Sequence, residues 1–338
     1  MDATGVDAPG ADASVGDAPI EDATPPDGPD DAGLSDALVW DASVGPSCAQ
    51  LPPTCGPFGT ADCCASAPVP GGTFYRGYDA VPAGGHEDRS FPATVNAFRL
   101  DVYEITVARF RKFVQAGGGT RKHPPAGVEP WWDASWNIAL EADRDALSTA
   151  LTFDPQYGTW TAMPGSNEDR PIACLTWYEA QAFCLWDGGR LPTAAEWNFA
   201  AAGGAEQRAY PWSSPPTSTV IDPIHASYGD GAGQCFGTGG TLHACSVQDL
   251  LPPGSKPPGD GRWGHADLSG NVSEWVFDFA GTFVNPCTDC TGPTSSLYRL
   301  LGGGSFLEPP DQLWSSLGRS FPPGSRGCSI GARCVRRP

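Results

Sequence analysis

The sequence predicts an α+β domain with little regular secondary structure, stapled by disulfides. Three observations carry that prediction. Thr176-Trp177-Tyr178-Glu179 and Thr193-Ala194-Ala195-Glu196 both read as capping boxes, in which Thr and Glu side chains each satisfy the other's free backbone N–H. Strand-like alternation occurs only in short runs, separated by long stretches rich in Gly and Pro. The chain carries 12 Cys, an even number, in a scaffold that reads as exported.

The elements follow in chain order. The formal net charge of the 338 residues is −19, and it is unevenly spread: no Lys or Arg precedes Arg76. Asp2, Asp7, Asp12, Asp17, Asp22 and Asp27, then Asp31, Asp36 and Asp41, mark a degenerate five-residue repeat rich in Ala, Pro and Gly. Such a segment buries too little apolar surface to offset its ordering entropy. Residues 1–47 therefore read as a disordered, self-repelling acidic spacer, either a tether to a membrane or wall or a solubilising tail. Residues 48–68 form a Cys-rich neck. Cys48, Cys55, Cys63 and Cys64 lack zinc-like paired spacing, so disulfides are expected, with adjacent Cys63 and Cys64 bonding different partners and the neck stapling the spacer to the folded domain.

Residues 69–338 are long enough for one sizeable core. The domain opens at Val69 with a strand and turn, and Phe98 to Tyr103 alternates like a strand. Ile105 to Gln115 reads as a helix with Val107, Phe110, Phe113 and Val114 on one stripe, stopped by Gly117-Gly118-Gly119. The helix opened by Thr176 runs to about Trp186, and the one opened by Thr193 ends before Gly203-Gly204. Arg190-Leu191-Pro192 links them in extended form, because a residue before Pro avoids the helical region. Tyr210 to Asp260 is a long Gly-, Pro-, Ser- and Thr-rich region where Cys235 and Cys245 can close a local disulfide. Short strands are expected at Val272 to Phe279, Tyr298 to Leu301 and Ile330 to Val335.

Gly264 to Asp278, GHADLSGNVSEWVFD, is the most chemically loaded stretch. Asp267 and Glu274 are hard oxygen donors, and Gly270 and Asn271 favour a sharp turn because both tolerate positive φ. That turn can aim backbone carbonyls and both carboxylates at one point, as Ca²⁺ requires.

With RLPTAAEW (Arg190 to Trp197) and GGGSF (Gly302 to Phe306), this stretch resembles the formylglycine-generating enzyme family, or sulfatase-modifying factor domains. PGGTFYRG, DVYEITVARFRKFV, YPWS and the ending IGARCVR match in the same order, so the resemblance covers nearly all of the folded part. It implies a C-type-lectin-like α+β fold. It implies calcium ligands at the Asp267 and Glu274 side chains and the Gly270 and Val272 carbonyls, while the family's other calcium site would start at Ser227 in place of an Asn. It also implies a Cys184–Cys334 disulfide, with a second family pair absent near Ala201 and Ser316.

Catalytic members oxidise a Cys of a Cys-x-Pro-x-Arg motif to an aldehyde, using O₂ and copper held by two thiolates, for which soft sulfur is suited. Here GGGSFLEPPDQLWSSLGRS holds no Cys: Glu308 occupies the first position, and the second falls within Asp311 to Leu313. Copper and formylglycine-generating activity are therefore not expected. Ser305 and Glu308 mark the former substrate cleft, and Cys328 is expected in a disulfide. Cys287-Thr288-Asp289-Cys290 can be read as a redox motif, but it lacks a βαβ context, so a structural disulfide is expected. The His residues sit in no nucleophile motif, which argues against a Ser-His hydrolase.

The favoured function is a monomeric, non-catalytic binding module for a peptide, protein or glycan. The alternative is an enzyme, either a copper oxidase of the family type or a divergent catalyst in the same cleft. Acidity argues against nucleic acid. No apolar run reaches the roughly 18 residues of a membrane span. The location is expected to be extracytoplasmic, with an export signal removed ahead of this chain.

Overall fold

The computed structural model describes residues 45–78, 88–126, 128–316 and 318–336. Of the acidic spacer, only residues 45–47 fall within this range.

Four helices are α1 (Val107–Gln115), α2 (Arg144–Leu151), α3 (Trp177–Trp186) and α4 (Ala194–Ala201). The strands are β1 (Ser66–Val69), β2 (Gly72–Tyr75), β3 (Pro92–Val95), β4 (Phe98–Asp101), β5 (Gly189–Arg190), β6 (Gln234–Cys235) and β7 (His243–Ala244), followed by β8 (Ser273–Phe279), β9 (Cys287–Thr288), β10 (Arg299–Gly302), β11 (Arg319–Phe321), β12 (Ile330–Gly331) and β13 (Val335–Arg336). Most are two to four residues long, so the fold is α+β with sparse regular structure, as the Gly- and Pro-rich loops require.

Both predicted capping boxes form. Thr176 Oγ1 accepts from Glu179 N at 3.2 Å and Glu179 Oε2 accepts from Thr176 N at 3.1 Å. At α4 the reciprocal bonds are 3.1 Å and 2.8 Å. The expected first helix begins two residues late, because Thr106 is its N-cap. The helix α2, capped by Asp143 and burying Leu147 and Leu151, was not expected. The predicted final strand is split into β12 and β13, since Arg333 between them turns into the core.

One sheet has the order β1-β4-β13-β5 and is antiparallel throughout. A second, β11-β10-β8-β12, is antiparallel except for the β8–β12 pair. A third has the order β2-β3-β9. The largest core cluster packs α1 and α3 around Trp177, Trp275, Phe110 and Phe183, all fully buried. A second packs Trp197 and Phe199 of α4 against β2, β3 and β4.

All 12 cysteines are bridged. Cys184–Cys334 and Cys235–Cys245 form, and Cys328 pairs with Cys174. Cys63 and Cys64 do take different partners, Cys55 and Cys48. The four neck cysteines pair among themselves, so no disulfide links the neck to the rest of the domain. It is held by buried charge instead. Arg109 donates to Asp101 (3.2 Å), Asp187 (2.8 Å), the Ser47 hydroxyl (3.1 Å) and the Cys63 carbonyl (3.2 Å). Ser47 N donates to Asp187 at 2.8 Å, and Arg336 bridges the same two aspartates. A Cβ at Gly45 would lie 2.3 Å from Asp187, so only Gly lets the backbone approach this closely.

Candidate functional site

The Gly264 to Asp278 stretch enters β8 through a turn with three left-handed residues: Asp267 (φ 54°), Gly270 (φ 86°) and Asn271 (φ 58°). Gly270 is needed twice over, because a Cβ there would also meet the Ser227 carbonyl at 2.4 Å. Asn271 uses its whole amide: Oδ1 accepts from Leu251 N at 2.9 Å, while Nδ2 donates to Glu104 at 2.6 Å and to the Leu251 carbonyl at 3.1 Å. The turn thus ties Leu251 and Glu104 to one buried point.

At that point lie Asp267, Glu274, Glu104 and Asp260, facing Arg333. Glu274 accepts from Trp197 Nε1 at 2.8 Å and is gripped by Arg333, with Nε 2.8 Å from both carboxylate oxygens and Nη2 2.6 Å from Oε1. Asp267 Oδ2 accepts from Gly254 N at 2.6 Å. Burial pushes the Glu104 carboxyl well above the usual range, and the charges of Asp267 and Glu274 add to the effect. Asp260 is pushed up to about 7 by burial and by Asp267, and its Oδ1 is buried without a hydrogen-bond partner. Burial also raises Asp267. The cluster therefore holds more buried carboxylate than Arg333 neutralises. Sequence reasoning missed Glu104, Asp260 and Arg333. Arg333 stands 59 residues from Glu274, and no local pattern links the two. His265, beside the turn, is held down to about 4 by burial and so stays neutral at physiological pH.

At the other sequence-predicted position, the glycines of GGGSF serve close packing. A Cβ on Gly302 would lie 2.6 Å from the Trp197 ring, and one on Gly304 2.7 Å from the Gln312 carbonyl. Ser305 is fully buried, and its N donates to Glu308 Oε2 at 2.8 Å. The Ser305 hydroxyl donates to the same oxygen, and Arg319 of β11 pairs with the other. The residue in place of the first family cysteine is thus a carboxylate held from both sides, with its side chain 16% exposed. Ser305 and Glu308 form one constellation, and the backbone bonds Gly270 N to the Gly303 carbonyl and Phe306 N to the Asn271 carbonyl (3.0 Å each) tie its loop to the Asp267–Glu274 turn.

Near the absent second family pair, the Ser315 hydroxyl donates to the Ala201 carbonyl at 3.1 Å, so a hydrogen bond stands where a bridge would. The 302–320 segment holds no cysteine, and all 12 cysteines are paired.

Comparison with known proteins finds relatives of both kinds, one described as inactive and one as a formylglycine-generating enzyme. The chain is 27% identical over 283 residues to the inactive C-alpha-formylglycine-generating enzyme 2 of Mus musculus, covering 79% of this chain and 84% of the relative. It is 30% identical over 256 residues to the formylglycine-generating enzyme of Streptomyces coelicolor, covering 71% and 77%. Among solved structures, PvdO from Pseudomonas aeruginosa superposes with a TM-score of 0.57 at 18% identity, covering 88% of this chain and 98% of that one, which speaks to the fold alone. The model of the sulfatase-modifying factor enzyme 1-like domain matches residues 55–338, and the chain belongs to that family.

Proposed function

We propose that this protein is a non-catalytic, calcium-braced member of the family that works outside the cytoplasm as a binding module. The observation that carries the reading is Glu308, a hard carboxylate fixed by Ser305 and Arg319 where the family chemistry needs a soft thiolate. The kinship to a formylglycine-generating paralogue described as inactive supports it. Six disulfides support an oxidising, extracytoplasmic location.

The ligand is a peptide, protein or glycan that meets the partly exposed Glu308–Arg319 pair, whose Arg319 side chain is 42% exposed. The test is a fluorescence-anisotropy screen of Cys-x-Pro-x-Arg peptides, unrelated extended peptides and oligosaccharides. Binding without turnover, weakened at least about tenfold by Arg319→Glu, is the expected outcome. Ligands held equally by wild type and variant would move the site elsewhere.

Calcium is proposed at the Asp267 turn. The donor types suit it: Asp267 and Glu274 are hard oxygens and the Gly270 and Val272 carbonyls would complete the set, with the ion sharing or displacing the contacts that Arg333 and the Trp197 indole make to the Glu274 carboxylate. Among the described residues no three His, Cys, Asp or Glu side chains converge on a metal position, so the carbonyls are essential to this assignment. Such an ion would brace the turn. At a calcium concentration about a hundred times Kd, unfolding is expected to become costlier by about 2.7 kcal/mol. Asp267→Ala should abolish that increment. Thermal unfolding that is identical in calcium and in a chelator would refute the assignment.

A further inference from the structure

Cys287-Thr288-Asp289-Cys290 is a motif that the binding-module reading does not use, and its surroundings differ from those of the other bridges. The Cys287–Cys290 disulfide spans three residues, so it constrains the unfolded chain far less than bridges spanning 150 and 154 residues. Its loop is also held without it. Strand β9 pairs with β3, Asp289 N donates to the Thr94 carbonyl at 2.9 Å, and the Asp289 carboxylate accepts from Asn96 N at 2.7 Å. Stability therefore gives little reason for this bridge.

Arg76 supplies another reason. Its guanidinium is 5% exposed as a residue, packs over the Phe283 ring at 4.8 Å and donates from Nη1 to Cys290 Sγ at 3.4 Å. Nη2 donates to the Val284 carbonyl, and Nε is buried without a partner. No carboxylate forms an ion pair with it among the described residues. Burial is the larger influence on Arg76 and the Asp278 charge offsets it only from beyond ion-pair distance, so a thiolate at Cys290 would add a counter-charge in direct contact. Cys290 is half-buried and Cys287 is 4% exposed, so the residue beside the cation is the more exposed of the two. Arg76 further contributes to the wall of a cavity of about 330 Å³ with Trp197, Phe283 and Leu300, which can seat apolar residues flanking an incoming thiol.

We propose that Cys287 and Cys290 form a thiol–disulfide exchange site that takes two electrons from a peptide or protein dithiol, with Arg76 as counter-charge to the Cys290 thiolate. One substrate thiolate attacks Cys290 Sγ. The Cys287–Cys290 bond breaks, and Cys287 leaves as a thiolate that takes up a proton. The second substrate thiolate then attacks the substrate sulfur of the mixed disulfide and expels Cys290 as a thiolate beside Arg76. The substrate gains one disulfide, and the protein gains two reduced cysteines. This site is separate from the Ser305–Glu308 position and does not rest on the binding-module reading.

The test equilibrates the full chain in glutathione buffers of rising reducing strength, traps it with an alkylating agent and reads each cysteine pair by peptide mass spectrometry. Cys48–Cys64 is the control: it too is half-buried, but its sulfur neighbour is the Ser47 hydroxyl at 3.5 Å. Cys287–Cys290 is expected to reach half-reduction at a reduced-glutathione level at least about tenfold lower than Cys48–Cys64. Arg76→Met should remove most of that gap, and Arg76→Lys should keep part of it. Reduction of Cys287–Cys290 together with or after Cys48–Cys64 would overturn the proposal, as would a midpoint unmoved by Arg76→Met in a folded variant. Should Arg76→Met not fold, Cys287→Ser decides. The pH profile of Cys290 alkylation is expected to titrate well below the ordinary thiol value of about 8.5, and a value at or above it would refute the site.

Discussion

Replacing Arg333 by Met is expected to destabilise the fold by about 3–5 kcal/mol, the range for removing one partner of a buried ion pair. Arg333 is fully buried and Glu274 is 1% exposed. Besides Glu274, the guanidinium satisfies the carbonyls of Asp101 (3.2 Å), Val102 (2.9 Å) and Ala266 (2.7 Å). Its loss would leave Glu274 with the Trp197 indole alone, among the like charges of Glu104 and Asp267, and three carbonyls would lose a donor. Urea denaturation followed by tryptophan fluorescence gives the difference. Adding Glu274→Gln should recover part of the loss, since it removes the stranded charge. A loss below about 1 kcal/mol in Arg333→Met would show that this cluster is not the keystone of the loop region.

Removing the Cys184–Cys334 bridge is the second large effect. The bridge ties α3 to the segment before β13 across 150 residues, and both sulfurs are buried in the main core. Chain entropy alone gives about 5 kcal/mol for a loop of this length, against about 2 kcal/mol for the three-residue spacing of Cys287 and Cys290. Paired Ala substitutions at each bridge, compared by calorimetry, should therefore differ by about 3 kcal/mol in the same direction. Equal losses would mean that native-state strain or residual unfolded structure outweighs loop length.

What could be read from the sequence was local. The capping boxes of α3 and α4 are complete within four residues each, so Thr176, Glu179, Thr193 and Glu196 announce them without tertiary help. The left-handed turn at Gly270 and Asn271 is local in the same way, and it was legible together with its two carboxylates. Helix α2 carried a weaker version of the signal: Asp143 caps it, but only Leu147 and Leu151 form its apolar side, too few to stand out. The features that escaped depend on residues distant in the chain. Arg109, Asp101, Asp187 and Arg336 look like ordinary surface charges in sequence, yet they meet in the interior and anchor the neck. Arg333 breaks the final strand for the same reason: its side chain is drawn inward by Glu274. Glu308 was legible as a missing thiolate, whereas its lock by Ser305 and Arg319 required the fold.

On the proposed reading, this family member does not carry out the family's oxidation. The most direct measurement incubates the purified protein, with copper and reductant in air, with a Cys-x-Pro-x-Arg peptide, and follows by mass spectrometry the mass loss that marks aldehyde formation. No conversion is expected, alongside full conversion by an active formylglycine-generating enzyme loaded with copper. Copper-dependent conversion by this chain would contradict that reading, and would mean that one of the bridged cysteines opens to rebuild a thiolate site at Glu308.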